Sequence, residues 1–266
     1  MRIAVFQSDI EWCNEDANLS KVEHVLRQVS GVADILLLPE MFTTGFCVEA
    51  DSLDENIGGK TKETLLTWSK EYDVAISGSF IAFDAGRYFN RAFFVTPEGE
   101  FVSYDKRHLF SIGAEGKLFS RGEKRVIVPF RGWNICLQIC YDLRFPVFSR
   151  CVNNEYDLLL YFANWPKSRI NAWNILLPAR AVENLSYVCG VNRVGCDGYG
   201  HQQGGASAVY SPQGEKLLQL GSQEEFQIVE LNLEYLRQYR EKFPAWKDAD
   251  AVKISSYDYC TCAFDA

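Results

Sequence analysis

The chain has 266 residues, of which 47% are hydrophobic and 23% charged, and its formal net charge is −8. These fractions are typical of globular proteins and exclude disordered, collagen-like and low-complexity chains. The acidic balance argues against a nucleic-acid-binding protein and against a polybasic membrane-binding patch. No apolar run approaches the roughly 20 residues that a bilayer span needs.

The cellular compartment is indicated by the N-terminal segment and the cysteines. The apolar stretch that begins at Met1 becomes polar at Gln7, whereas a secretory signal needs about 7–15 apolar residues. We therefore interpret this stretch as a first strand. The 9 cysteines are an odd number, and without a secretion signal they predict reduced thiols in the cytoplasm.

The predicted elements alternate between strands and helices along the whole chain. Segments rich in β-branched and aromatic residues predict strands at 3–7, 34–38, 74–80, 91–96, 125–130, 133–139, 158–162, 187–192, 206–210 and 227–231. Apolar residues at positions 19, 22, 26 and 29 predict a helix that ends at Gly31, and further helices are predicted at 62–72, 146–153 and 172–184. Turn signals at 97–99 and 212–214 mark hairpins. We find no linker and no repeat, so residues 1–266 are predicted to form a single α/β domain. The pattern leaves open whether it contains one doubly wound sheet or two packed sheets.

Glu40 and Lys106 are two candidate functional residues. An apolar strand runs through Leu38-Pro39 into Glu40, and a carboxylate at the C-terminal end of a parallel strand is placed for catalysis. The same position also suits a solvent-exposed charge. Lys106 by itself is typical of a solvated surface lysine, and it gains interest only if it meets a carboxylate in a cleft. The nearby His108 is more typical of a hydrogen-bonded structural group than of a catalytic base.

Cys140 is the third candidate. The apolar strand that carries Cys136 ends at Cys140, and a helix follows. Such a strand-to-helix bend exposes its side chain in the manner of a nucleophile elbow, and a helix N-terminus would lower the pKa of the thiol. Cys136 is expected to be buried and to pack in the core. The single close pair Cys260 and Cys262 is a weak metal signal, and no metal site is predicted.

Together these segments resemble the nitrilase, or carbon–nitrogen hydrolase, superfamily, which carries a Glu–Lys–Cys triad in this order. The glutamate corresponds to Glu40 in Leu-Pro-Glu-Met-Phe, and the lysine to Lys106 in Tyr-Asp-Lys-Arg-His-Leu-Phe. The cysteine corresponds to Cys140 in Gln-Ile-Cys-Tyr-Asp-Leu-Arg-Phe-Pro. The family's second glutamate maps to Glu115. Further similarity at 163–166, 179–184 and 192–195 extends the resemblance over nearly the whole chain.

Within the superfamily the chain looks most like the ω-amidase branch, on the segments 41–46, 164–169 and 240–250. It departs from that branch at 200–207, which concerns the rim of the pocket. The resemblance implies hydrolysis of the ω-amide of 2-oxoglutaramate or 2-oxosuccinamate through a cysteine thioester, without a metal or an organic cofactor. The alternative is a carbon–nitrogen hydrolase that acts on another small amide or an N-carbamoyl amine. A non-enzymatic scaffold of the same fold would be expected to lack a triad residue.

The resemblance also implies roles for these residues. Glu40 would act as general base, Cys140 as nucleophile, Lys106 and the backbone N–H of Tyr141 as oxyanion donors, and Glu115 as the residue that orients Lys106. Further substrate-binding candidates are Phe42, Trp165 and Arg169. Arg169 is chosen for the substrate carboxylate because a guanidinium donates two parallel hydrogen bonds. A surface or interface ion pair is the alternative role for Arg169, and Arg144 and Arg193 are its rivals.

For the architecture, the resemblance implies a four-layer α-β-β-α sandwich. Two subunits would form an eight-layer homodimer, with the C-terminal tail, about residues 232–266, at the dimer interface. The expected partner besides a second copy is a small amide substrate, and neither a nucleic acid nor a membrane is expected.

Overall fold

The computed structural model describes residues 1–48 and 53–250. Within these residues the strands form two six-stranded sheets. The first sheet has the order β12-β1-β2-β3-β4-β5 and consists of β1 (Arg2–Gln7), β2 (Ile35–Leu37), β3 (Ala75–Asp84), β4 (Arg87–Val95), β5 (Phe101–Asp105) and β12 (Glu225–Glu230). The second has the order β11-β10-β9-β8-β7-β6 and consists of β6 (Val126–Phe130), β7 (Trp133–Ile139), β8 (Leu158–Phe162), β9 (Tyr187–Val191), β10 (Ala208–Tyr210) and β11 (Lys216–Gln219).

The described residues form six α-helices, of which two are short. They are α1 (Glu15–Val29), α2 (Gly59–Tyr72), α3 (Glu115–Leu118), α4 (Pro146–Ser149), α5 (Ile170–Asn184) and α6 (Leu233–Lys242). Short 3₁₀ helices span Cys140–Arg144, Lys167–Arg169 and Ala245–Asp248. In the described residues no helix is both long and apolar enough to cross a membrane.

Alternation of side chains along the strands divides the core into three layers. Ile3 of β1 and Leu160 of β8 belong to one buried cluster that lies between the two sheets. The opposite face of the first sheet packs against α1 and α2, and Leu36 of β2 and Leu26 of α1 belong to the same buried cluster. The opposite face of the second sheet packs against α5. The predicted four-layer α-β-β-α sandwich is therefore confirmed, and the sheets are two rather than one.

The ten predicted strands are all present, with ends shifted by a few residues. Two strands were not predicted, β5 and β11, and both are the outermost strands of their sheets. Edge strands are partly exposed, so β11 has one buried residue in its four and lacks the apolar signal of an inner strand. The helix α6 was missed for the same reason, since Leu236 and Arg240 are its buried residues. The helix predicted at 146–153 ends at Ser149.

The strand directions bring four loops to one end of the sandwich. β1, β2 and β3 run parallel, as do β7, β8 and β9. β5 has the direction of β3, because each pairs antiparallel with β4. Glu40 follows β2, Lys106 follows β5, Cys140 follows β7 and Asn164 follows β8. The carboxyl ends of these strands therefore supply the side chains described next.

Candidate active site

Glu40 is fully buried at the end of the first sheet. Its Oε1 accepts hydrogen bonds from Lys106 Nζ at 2.8 Å and from Asn90 Nδ2 at 2.7 Å. Its Oε2 accepts one from the backbone N–H of Asn164 at 2.8 Å, and the Asn164 amide donates to the Glu40 carbonyl. The next residue, Met41, has a φ of 46°, so the chain turns sharply behind the carboxylate. These contacts fix Glu40 as a buried acceptor rather than a surface charge.

Lys106 is 1% exposed and lies between two carboxylates. Its Nζ is 2.8 Å from Glu40 Oε1 and 3.0 Å from both carboxylate oxygens of Glu115. Burial disfavours the charged lysine, but the charges of Glu115 and Glu40 outweigh it and hold the pKa of Lys106 well above its usual range. The interpretation of Lys106 as a surface lysine is thus wrong, because the residue meets carboxylates inside the fold.

Glu115 is the first residue of α3 and is also fully buried. Besides Lys106 it accepts hydrogen bonds from the Phe110 backbone N–H at 2.6 Å and from Asn90 Nδ2 at 3.0 Å. Burial, together with the negative charge of Glu40, raises the pKa of Glu115 although Lys106 acts in the opposite direction. One lysine therefore stabilises two carboxylates that repel each other.

Cys140 follows β7 and begins the 3₁₀ helix Cys140–Arg144. Its φ of 42° is unusual for a residue other than glycine and marks the sharp bend expected of a nucleophile elbow. The thiol faces a cleft and lies 4.0 Å from the Asn164 carbonyl oxygen, and the Glu40 carboxylate is close enough for its charge to act on the thiol. The expected lowering of the thiol pKa is wrong: burial and the charge of Glu40 raise the pKa of Cys140, more than Lys106 lowers it. Cys136 is buried against the outer helices, as predicted.

Asp142 connects the Cys140 bend to the loop that carries Lys106. Its Oδ2 accepts hydrogen bonds from the Ile139 N–H at 2.9 Å and the Tyr104 hydroxyl at 2.7 Å. Its Oδ1 accepts one from the His108 N–H at 3.0 Å and lies 2.7 Å from His108 Nδ1. His108 therefore has the structural role that its sequence context favours.

Above these residues lies a cleft of about 750 Å³, with Lys106, Cys140 and Asn164 among its lining residues. Three predicted substrate-binding residues also line it: Tyr141, Trp165 and Arg169.

The prediction that Phe42 binds substrate is wrong. Phe42 is 2% exposed and packs in the core beneath α1 and α2, with its ring centroid 6.0 Å from that of Phe93. The turn at Met41 directs Phe42 inward, where its N–H bonds the Ser79 carbonyl, and Phe46 lines the cleft instead.

Two arginines line the cleft and have no ion pair within the described part of the chain. Arg169 stacks at 5.2 Å from the Phe110 ring centroid, and Arg144 at 5.0 Å from that of Trp165. Both are exposed, and no described residue of this chain forms a surface ion pair with Arg169, whereas the interface form of that alternative is untested. The third candidate, Arg193, is buried and donates to the Ile10 carbonyl at 2.8 Å, away from the cleft lining.

Asn90 and Ser79 are among the residues of this site that sequence reasoning missed. Asn90 of β4 donates to both Glu40 and Glu115, and the Ser79 hydroxyl donates to Asn90 Oδ1 at 3.0 Å, which fixes the orientation of the amide. The available signal was an asparagine inside an aromatic-rich strand, since a buried amide needs partners. No group of His, Cys, Asp and Glu side chains in the described ranges is arranged to hold a metal ion.

A family model described as carbon-nitrogen hydrolase matches residues 2–241. The chain is 42% identical over 261 residues to omega-amidase YafV of Escherichia coli strain K12, covering 96% of this chain and 98% of the relative. It is 30% identical over 250 residues to the 2-oxoglutaramate amidase of Bacillus subtilis strain 168, with 92% and 96% covered. A solved structure, XC1258 from Xanthomonas campestris, is described as a CN-hydrolase superfamily protein with an arsenic adduct in the active site. It matches with a TM-score of 0.92 at 37% identity, covering 96% of this chain and 99% of that chain. The similarity in sequence and fold extends almost from end to end, and the chain therefore belongs to the carbon–nitrogen hydrolase family.

Proposed function

We propose that this enzyme is an ω-amidase that hydrolyses the terminal amide of a small 2-oxo dicarboxylic acid monoamide, such as 2-oxoglutaramate or 2-oxosuccinamate. The main observation is that Cys140, Glu40 and Lys106 meet at a cleft. Two arginines that form no ion pair with any described residue also line this cleft. The activities named for the Escherichia coli and Bacillus subtilis relatives support the same substrate class.

The first step is attack by Cys140 on the amide carbon. Because the pKa of the Cys140 thiol is raised by burial and by the Glu40 charge, the resting thiol keeps its proton. Glu40, whose charge acts on that thiol, takes the proton as general base while the sulfur–carbon bond forms. The carbonyl π electrons move onto oxygen and produce a tetrahedral oxyanion.

Lys106 and the N–H of Tyr141 stabilise this oxyanion. The Lys106 ammonium has three hydrogens, and among the described residues its acceptors are Glu40 Oε1 and both carboxylate oxygens of Glu115. The two Glu115 oxygens are equally distant and share one N–H, so with a second N–H on Glu40 the third serves the substrate. Tyr141 is the second residue of the 3₁₀ helix Cys140–Arg144, and the first N–H groups of a helix have no acceptor inside it. A fixed cation and a backbone donor together supply an oxyanion hole.

Collapse of the tetrahedral species breaks the carbon–nitrogen bond. Glu40 returns its proton to the departing nitrogen, which leaves as ammonia, and Cys140 remains as a thioester. A water molecule then attacks the thioester as Glu40 takes its proton, and the second collapse releases the acid and restores the thiol with that proton. Glu115 and Asn90 act as positioning residues, because they hold Lys106 and Glu40 in place.

Recognition of the substrate carboxylate is assigned to Arg169, with Arg144 as its rival. The net charge of −8 opposes the approach of an anionic substrate, so a local cation is required. Both guanidiniums line the cleft and stack on aromatic rings that hold them at its wall. Arginine suits a planar carboxylate because its N–H groups form a fork.

Steady-state ammonia release with 2-oxoglutaramate and an uncharged amide of similar length tests this proposal. Arg169→Ala should raise KM for 2-oxoglutaramate more than it lowers kcat, since the contact is equal in ground and transition states. The uncharged amide should be affected little. Lys167→Ala is the matched control, since Lys167 is an exposed neighbour outside the cleft lining.

Three outcomes would contradict parts of the proposal. An equal loss on both substrates would assign Arg169 a structural role. The same selectivity in Arg144→Ala alone would move the carboxylate site to Arg144. A preference of the unmodified enzyme for aliphatic amides or N-carbamoyl amines over 2-oxoglutaramate would replace the ω-amidase assignment with the broader carbon–nitrogen hydrolase alternative.

We further propose that this single-domain chain works as a cytoplasmic homodimer. The exposed apolar residues Ile175 and Val182 are seven positions apart on α5 and so share one face of that helix. The predicted interface tail begins with α6, and its residues 251–266 lie outside the described ranges. Light scattering should report a dimer for the unmodified chain and a monomer for Ile175→Glu. A monomeric unmodified chain would refute the dimer.

A further inference from the structure

Two cysteines outside the catalytic cluster are in direct contact. Cys13 lies in the exposed loop between β1 and α1, and Cys47 is buried in the loop that follows Glu40. The Cys13 thiol donates to Cys47 Sγ, and the two sulfurs are 2.7 Å apart. A disulfide bond is about 2.05 Å long, so these sulfurs are closer than two unbonded sulfurs pack at rest and need to approach by less than one ångström to bond.

The backbone around the pair is held from both sides. The Cys13 N–H donates to the Thr44 carbonyl at 2.9 Å, and the Asn18 side chain donates to the Thr43 carbonyl at 2.7 Å. The Cys47 N–H donates to the Gly45 carbonyl at 2.7 Å. The two loops therefore stay in register, and the pair does not depend on a chance encounter of two mobile segments.

The buried member of the pair adjoins the active-site cleft. Cys47 stands between Phe46 and Val48, which both line the cleft, and the Phe46 ring lies 5.5 Å from Lys106 Nζ. A covalent bond at Cys47 would hold this wall of the cleft to the β1–α1 loop. Because the sulfurs already touch, bond formation would keep the wall where the described structure has it.

We propose that Cys13 and Cys47 are a thiol–disulfide modification site, which low-molecular-weight disulfides such as glutathione disulfide oxidise and which fastens the Phe46–Val48 wall of the cleft. The exposed Cys13 gives its proton to water and its thiolate attacks one sulfur of the small disulfide, releasing one thiol. Cys47 then gives up its proton and attacks Cys13 Sγ, releasing the second thiol. Two protein thiols are oxidised, and one small disulfide is reduced to two thiols.

Cys140 is a slower entry point for the small disulfide than Cys13, because Cys140 is partly buried in the cleft whereas Cys13 is exposed. The thiolate is the attacking species in disulfide exchange, and burial together with the Glu40 charge raises the pKa of Cys140. Cys13 is exposed to solvent, so it is the entry point for the oxidant. The oxidised enzyme should therefore retain its catalytic thiol.

The expected effect is a more stable enzyme with unchanged chemistry. The two cysteines are 34 residues apart in sequence, and a disulfide across such a loop restricts the unfolded chain. We expect Tm to rise by about 5 °C. We expect kcat/KM to stay within about twofold, because the active-site geometry is the same in both states.

The experiment incubates the full-length protein with glutathione disulfide and then maps its peptides without reduction. A peptide pair containing Cys13 and Cys47, a higher Tm, and reversal of both by dithiothreitol are the expected results. Cys13→Ser and Cys47→Ala should lose all three. Cys196→Ser is the matched control, since it removes another exposed cysteine and should behave as the unmodified protein does.

Other results would overturn the proposal. Glutathione attached to Cys13 without a bond to Cys47 would show that the second step does not occur. A disulfide between Cys13 or Cys47 and another cysteine (Cys140, Cys196 or the C-terminal cysteines) would show that a different pair is oxidised. If the expected disulfide forms but Tm is unchanged or turnover is abolished, the disulfide does not stabilise the cleft wall in its active position.

Discussion

Replacement of Lys106 by methionine removes the charge of the side chain but keeps most of its volume, so it tests the contribution of the charge to stability. Methionine fills a similar space, but Glu40 and Glu115 would be left buried without the cation that lies 2.8 Å and 3.0 Å from them. Removal of one partner from a buried ion pair costs about 3–5 kcal/mol. For a chain of this size, each kcal/mol lowers Tm by about 2–4 °C, so we expect Lys106→Met to melt roughly 10 °C below the unmodified enzyme.

The loss of stability in Lys106→Met should increase as pH rises. Burial and Glu40 already raise the pKa of Glu115, and Lys106 is the charge that opposes this. In Lys106→Met the folded state therefore holds a proton on the carboxylate pair at pH values where the unfolded carboxylates have lost theirs. Stability then falls as pH rises above the ordinary glutamate pKa of about 4.3. The loss of stability should therefore be larger near pH 8 than near pH 5.5.

Urea unfolding at both pH values measures this difference directly. Lys70→Met provides the control, because Lys70 is an exposed residue of α2 and its replacement should stay within about 0.5 kcal/mol. A Lys106→Met protein as stable as the unmodified enzyme near pH 8 would refute the electrostatic account. A penalty that is the same at both pH values would instead point to lost packing.

Three further predictions concern the nucleophile, its supporting carboxylate and the helix on the second sheet. Cys140→Ala should lower the rate of ammonia release at least about a thousandfold. Cys136→Ala should keep its activity and lose about 1 kcal/mol of unfolding free energy, measured with urea. The reverse result would identify Cys136 as the nucleophile. Asp142→Asn should lower kcat about a hundredfold with little change in KM in steady-state assays, because it loosens the Cys140 bend. An unchanged kcat would show that Asp142 does not position Cys140. Gly190→Ala should cost about 1–3 kcal/mol in urea unfolding, because a Cβ there would lie 2.6 Å from the indole of α5. Gly59→Ala meets no atom within 4 Å and should be near neutral, so equal costs for both would contradict the packing argument.

The inner strands could be predicted because buried strands consist mostly of apolar residues. Leu36, Leu159 and their neighbours are buried on both faces of their sheets, and such strands read as continuous apolar runs. The outer strands β5 and β11 lie half in solvent and carry mixed residues, so they have no comparable pattern. Whether the strands form one sheet or two depends on pairings between distant segments, which periodicity within a segment does not contain.

The site shows the same division between local and distant information. Glu40 and Cys140 follow apolar strands and could be singled out locally, and the motif resemblance added Lys106 and Glu115. The role of Asn90 depends on two carboxylates that are 50 and 25 residues away in sequence, so no local pattern indicates it. The inward direction of Phe42 likewise depends on a backbone turn at Met41, which sequence spacing does not reveal.

The pairing of β12 with β1 has a consequence for synthesis on the ribosome. β1 comprises residues 2–7 and its antiparallel neighbour comprises residues 225–230, so one edge of β1 has no partner until residues 225–230 have been made. An unpaired strand edge can add strands from other chains. The nascent chain therefore carries an exposed edge on β1 while the intervening residues are made, and the pairing of β12 with β1, rather than completion of the second sheet, closes this edge.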